Sequence, residues 1–321
     1  MTPAAVTGAV GSLSAFLPLI EPVLDRLGAR RVCEVGVENG AFSRQLLEWC
    51  APRGSQYCGI DPAPQQGAAS LDDVIVGRSL DVLPDLEPCD AYFIDGDHNY
   101  YTVRNELDVI ARTTRRADAG PAVFVHDVSW PWGRRDLYYR LDDIPDDARH
   151  PYSETLGVAF DRDELVDGGL RAPGRYAIAC RSGGERNGVL TAVEDFLGGE
   201  AGASWTMLLV PAAYGLGVVY QPERLPESCR RHLDDLRDAT RRLAPFLRVL
   251  ETSYVQLYLF GEEMKRYADG LQQHADKLDR HVVAQDGAYE SLLSHTNALQ
   301  AEYEKLFAHF QHLQSELART R

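Results

Sequence analysis

Residues 31–40 read RVCEVGVENG, and this stretch decides the fold. A short, β-rich apolar run enters a turn carrying two glycines, Gly36 and Gly40. FSRQLLEWCA (42–51) follows with the 3.6-residue periodicity of a helix. The same grammar repeats outward. QYCGIDP (56–62), VIVGRS (74–79), AYFIDGD (91–97) and AVFVHDV (122–128) read as further strands, with a helical segment, TVRNELDVIARTT (102–114), between the last two. Each strand is a near-continuous apolar run, as expected when helices cover both faces of a parallel sheet. Strands alternating with helices at this spacing predict an α/β fold with a doubly wound, mostly parallel sheet.

Upstream, residues 12–28 read as amphipathic helical material ending near Gly28. Downstream, residues 129–175 are rich in Trp, Tyr, Arg, Asp and Pro without periodicity, and are expected to form a substrate loop or lid. The sheet is expected to resume with YAIACRS (176–182). A helix at 189–199 and a terminal antiparallel hairpin, WTMLLVP (205–211) with GLGVVY (215–220), would complete it. This gives a catalytic domain over 1–225, a helical connector over 226–252 and a long helical extension over 253–321. In the extension an apolar seam runs from Leu257 to Leu317 at alternating steps of three and four, the register of a coiled coil. Gly270 and Gly287 each cost about 1 kcal/mol in a helix interior. AQDGAY (284–289) is therefore open to reading as a turn, although the unbroken register favours one helix.

The 321 residues carry a formal net charge of -15, which argues against nucleic acid and anionic membranes as partners. No run is long and apolar enough to span a bilayer, and the N-terminus lacks a basic segment before its apolar residues, so the expected location is the cytoplasm. The six cysteines show no CxxC or finger spacing, in keeping with a reducing compartment.

Four strand ends carry the candidate chemistry. In the first turn Gly36 and Gly40 allow a ligand close to the backbone. Glu34 and Glu38 beside them would repel a pyrophosphate and suit a ligand bearing an ammonium and a sulfonium. Asp61, ending the second strand, is placed to accept ribose hydroxyls. Ser79, after the third, is within reach of an adenine. The fourth strand ends in Asp95-Gly96-Asp97-His98 and the fifth in His126-Asp127. Neighbouring strand ends lie about 5 Å apart, so these groups are expected to converge. They could bind the cofactor's ammonium, hold a divalent cation or accept a proton.

Taken together, the glycine turn, GIDP, IDGDHNYYTVRNELD and VFVHDV resemble the class I, Rossmann-like methyltransferases that use S-adenosylmethionine. They are similar above all to sugar and natural-product O-methyltransferases and cephalosporin-hydroxylase-like proteins, over roughly residues 10–220. The resemblance implies S-adenosylmethionine bound by Glu34, Gly36, Glu38, Gly40, Asp61, Ser79 and Asp95. It implies Mg or Mn on Asp95, Asp127 and the residue before it, with Asp97 or His98 as the base. The chain departs from the pattern by carrying His126 where an acidic ligand is usual. Either His126 joins Asp95 and Asp127 as a metal ligand, or it is itself the base of a metal-free site.

The expected function is O-methylation of a hydroxyl on a sugar or glycosylated small molecule. Trp130, Trp132, Arg134, Arg135, Tyr138 and Tyr139 of the lid are available to stack on rings and bind hydroxyls. Two other readings compete: a NAD-dependent oxidoreductase, disfavoured by the missing third glycine, and a non-catalytic coiled-coil assembly protein. The tail is expected to mediate a homo-oligomer, by default a dimer, or to dock on a neighbouring pathway enzyme.

Overall fold

Strand β1 (Arg31–Val35) lies inside the central sheet of the computed structural model, which describes residues 12–68, 71–117, 119–170 and 176–319. It pairs in parallel with β2 (Gln56–Asp61) on one side and β4 (Ala91–Ile94) on the other. Beyond β2 lies β3 (Val74–Val76), and beyond β4 lies β5 (Ala122–His126), both parallel. A closing hairpin, β6 (Thr206–Val210) and β7 (Leu216–Tyr220), inserts β7 antiparallel against β5. The order is β6-β7-β5-β4-β1-β2-β3, a mostly parallel Rossmann-like sheet with a terminal antiparallel hairpin, as expected.

Strand alternation sends side chains to two apolar layers. Cys33, Val35, Tyr92, Ile94, Val123 and Val125 face α4 (Tyr100–Thr113) and α5 (Val189–Gly198). Val32, Ala91, Phe93, Ala122 and Phe124 face α1 (Leu17–Leu27) and α2 (Ala41–Cys50). Local chemistry sets the helix ends. Gly28 closes α1 in the left-handed region at φ 68°, and the Asn99 side chain caps α4 by accepting from the Thr102 N–H.

The segment 176–182 does not rejoin the main sheet. Ala177–Ala179 instead pairs antiparallel with Leu137–Tyr138 and Tyr152–Ser153 in a separate three-stranded sheet. The expected lid is thus a folded insertion. Arg135 is buried at 2% exposure, donating to the carbonyls of Ala179 and Asp163, and buried Asp136 accepts from the N–H groups of Tyr100 and Gly188. The period-free sequence hides this because its order comes from buried polar ties, and these leave no periodic mark. Residues 171–175 of the expected lid lie outside the described residues.

A single helix, α6 (Glu227–Arg319), spans both the expected connector and the expected tail, without a turn at 284–289. The chain divides into two units, Met1–Leu259 and Phe260–Arg321. In the first, Cys229, Leu233 and Val255 of α6 are buried. In the second, the seam is exposed from Met264 to Leu313, and the Leu317 side chain lies outside the described residues. Among the described residues no helix is long and apolar enough to cross a membrane.

Candidate active site

The glycine turn is built on Asp61. Its Oδ2 accepts from the N–H groups of Val37 and Glu38, both at 2.9 Å, and its Oδ1 from the N–H of Ala63 at 2.7 Å. One carboxylate at the end of β2 therefore fixes the backbone after β1. Gly36, at φ 91°, lies so close to the Asp95–Gly96 backbone that any side chain would collide with it. This contact brings the glycine turn against the acidic end of β4.

Glu38 is exposed at φ 49°, and Gly40 begins α2 at φ 73°. Glu34 points beneath the turn. Its Oε2 accepts from the hydroxyls of Ser43, at 2.6 Å, and of Tyr57. Burial pushes its carboxyl up to about 8 against the pull of those two donors. Ser79 is buried at the first residue of a one-turn helix, α3 (Ser79–Val82).

The second half of the site joins β4 and β5. Ile94 pairs with Val125, so Asp95 and His126 are the next neighbours, and alternation puts both on the α1 face. His126 Nδ1 lies 2.9 Å from Asp95 Oδ1 and 3.3 Å from Asp127 Oδ2, and its Nε2 lies 3.1 Å from the Ala213 carbonyl. A carbonyl only accepts and the carboxylates want a donor, so both ring nitrogens carry hydrogen. Burial pushes His126 down, but Asp95 and Asp127 outweigh it and hold the ring well above the ordinary histidine range. Phe16 packs edge-on against it, 5.9 Å between centroids.

Asp127 sits at φ 60°, an uncommon conformation for a residue with a side chain. Its Oδ2 also lies 2.9 Å from His98 Nδ1. Burial opposes the charge of Asp127, yet the two imidazoles hold its carboxyl well below the usual range. The far nitrogen of His98, Nε2, meets the Tyr139 hydroxyl at 3.1 Å. Asp97 accepts from Thr102 Oγ1 at 3.1 Å while its other oxygen is enclosed without a partner, and burial raises its pKa. The two imidazoles are therefore unequal. His126 donates at both nitrogens, whereas His98 is oriented at one and opens onto a hydroxyl at the other.

Asp95, His98 and Asp127 place one donor atom each within 4.8 Å of one another, and Asp127 Oδ1 is enclosed and unpartnered. This donor set fits a divalent cation. His126, expected beside Asp95 and Asp127 as a ligand, is turned to the Ala213 carbonyl, and His98 stands in its place. Its geometry as a double donor also removes it from the candidates for the base.

Sequence reading missed the residues that hold His126. Ala213 and Tyr214 both adopt left-handed φ, at 50° and 66°, and form the turn between β6 and β7. The carboxylate of Glu251, on α6, accepts from the N–H of Ala213 at 2.5 Å and of Tyr214 at 2.7 Å. Ser129, just past β5, donates its N–H to the Tyr214 carbonyl at 2.7 Å. No signal marked Glu251, an unremarkable acidic residue in a helical stretch.

Residues 33–128, from β1 to the end of the acid–imidazole cluster, match a family model described as a methyltransferase domain. Among solved structures, the chain is similar to an O-methyltransferase from Streptomyces achromogenes involved in tomaymycin synthesis, in complex with SAM. Identity is 20%, covering 65% of this chain and 80% of that one, with a TM-score of 0.38. An SAH-bound methyltransferase from Podospora anserina is 16% identical, covering 64% and 76%, with a TM-score of 0.39. An O-methyltransferase from Bacillus cereus in complex with SAH is 17% identical, covering 63% and 77%, with a TM-score of 0.35. No curated protein matches the chain. The Rossmann-like sheet with its antiparallel hairpin carries this matched methyltransferase-domain segment, residues 33–128.

Proposed function

We propose that the protein transfers the methyl group of S-adenosylmethionine to a hydroxyl of a sugar or glycosylated small molecule, with His98 as general base. The observation that carries this reading is the asymmetry of the two imidazoles around Asp127. Asp127 fixes His98 through Nδ1 and leaves Nε2 against the Tyr139 hydroxyl, whose place an acceptor hydroxyl would take. The acceptor oxygen attacks the methyl carbon in line, the carbon–sulfur bond breaks as the carbon–oxygen bond forms, and the hydroxyl proton passes to His98 Nε2. The products are a methyl ether and S-adenosylhomocysteine. His126, protonated between Asp95 and Asp127, bridges the two carboxylates and offsets their mutual repulsion. A divalent ion held by Asp95 and Asp127, which would leave His98 to act as the base, would supply positive charge to orient and acidify the acceptor hydroxyl.

Calorimetric titration with S-adenosylhomocysteine, with NAD in parallel, tests the cofactor. Heat with the first alone is expected, and binding of NAD alone would overturn the reading. Methyl transfer to a panel of hydroxylated acceptors then tests the base. His98→Gln is expected to lower kcat by about 10²–10⁴-fold. Burial lowers the His98 pKa, but Asp127 more than offsets it, so the net shift is upward. The wild-type rate should rise with pH along a limb above the ordinary 6.5, a limb that His98→Gln removes.

A further inference from the structure

The exposed seam of α6 has its small and large residues segregated, and this segregation says what covers it. In heptad terms one set of core positions is almost uniformly Leu or Met, from Met264 to Leu313. The other set is small in the first half, with Gly261, Ala268 and Ala275, and mostly aromatic in the second, with Tyr289, Tyr303 and Phe310 interrupted by Thr296. A parallel pair would stack Ala on Ala at one end and Tyr on Tyr at the other, forcing the spacing to change along the seam. In an antiparallel pair each layer sets one position of the first kind against one of the second, so every small residue meets a Leu. One register covers the whole seam, and it is centred on Gly287. There Ala268 meets Leu306, Ala275 meets Leu299, Leu271 meets Tyr303 and Met264 meets Phe310.

A hairpin folded at Gly287 would satisfy the same layers within one chain. The structure instead carries a single helix through 284–289, with Leu271 and Tyr303 exposed at 54% and 68%. From these observations we infer that α6 pairs antiparallel with the α6 of a second copy, about a two-fold axis beside Gly287. The seam is about 90 Å long at 1.5 Å per residue, and an apolar face of that length gains its stability from packing on a partner. Both copies contribute the same surface, as a two-fold interface requires. At the flanks His274 lies beside Glu302 of the second copy, twice over, where the imidazole can donate to the carboxylate. The same flank offset sets His281 beside His295, and Asp286 lies against its own counterpart next to the axis. The inference is independent of the proposed methyl transfer.

Light scattering on the full chain is expected to give twice 35.7 kDa. A monomer, including one folded as a hairpin, or any larger assembly would overturn the pairing. Orientation is tested by mixing Leu271→Cys chains with Tyr303→Cys chains under a small-molecule disulfide and mapping the linked peptides. A 271–303 link between chains is expected, with Leu271→Cys alone remaining unlinked through that site. A 271–271 link would show a parallel pair and overturn the proposal. Leu278→Asp with Leu292→Asp should halve the mass while leaving the thermal transition of the catalytic unit unchanged.

Discussion

The two halves of the candidate site are built in opposite ways. The glycine turn and Asp61 lie within about thirty residues of sequence, and three backbone N–H groups converge on one carboxylate. The acid–imidazole cluster draws on β4, β5, the turn at 213–214 and Glu251 of α6, residues up to 156 positions apart. The first half is a local device that any chain with this strand–turn–helix would assemble. The second exists only once the whole sheet has closed and α6 has packed on it.

Breaking the local half should do the most damage. Asp61→Ala frees three backbone donors at once, and we expect about a 100-fold loss in S-adenosylhomocysteine affinity by calorimetry, together with about 3 kcal/mol of stability. Unchanged affinity would show that the turn holds its shape without the carboxylate. The distributed half should fail more gently, because its parts brace one another. Glu251→Ala leaves the N–H groups of Ala213 and Tyr214 without their acceptor and should cost about 2 kcal/mol in denaturant unfolding. Glu251→Gln keeps an oxygen there and should recover about half. Equal losses would mean that charge, not acceptance, is what the turn needs.

Changing His126 sharpens the contrast between the cation the fold supplies and one taken from solution. His126→Asp removes a protonated ring and adds a third carboxylate beside Asp95 and Asp127, so Mn²⁺ affinity should rise about 10-fold. No gain would place the metal-binding capacity elsewhere. The smallest effect is expected at Glu34. With its pKa at about 8 the side chain is mostly neutral at pH 7, and a Gln carbonyl can accept from Ser43 and Tyr57 in its place. Glu34→Gln should therefore shift stability by less than about 1 kcal/mol at pH 4, where the carboxyl is neutral in the folded protein and largely so in the unfolded chain, and should be the more stable of the two at pH 7. The pH sign follows from the raised pKa. Ionising the buried carboxyl costs stability as pH rises from the unfolded value of about 4.5 through 8, and Glu34→Gln should remove that slope.

Much of the site was legible because its residues end strands. Asp61, Asp95, His98, His126 and Asp127 are visible as ionisable groups after apolar runs, and parallel pairing necessarily brings such ends together. Their division of labour was not legible. Whether His126 donates, ligates or accepts depends on the Ala213 carbonyl 87 residues away, and on left-handed backbone at two residues with side chains. Glu34 reads as a ligand contact by position, yet strand alternation turns it beneath α2, where Ser43 and Tyr57 hold it. The insertion after β5 reads as an open lid because buried Arg135 and Asp136 look the same in sequence as solvated ones.

By itself the sequence determined the order of strands and helices, the glycine turn, the cluster of acids and imidazoles, and the seam of the terminal helix. Each of these follows from periodicity or backbone freedom acting over a few neighbouring residues. Only the tertiary structure decided which imidazole meets a hydroxyl at one nitrogen, where Glu34 points, and that Glu251 braces the cluster from α6. Those outcomes rest on hydrogen bonds between groups far apart in the chain. The energy of such a bond depends on which partner arrives, and no local pattern records that.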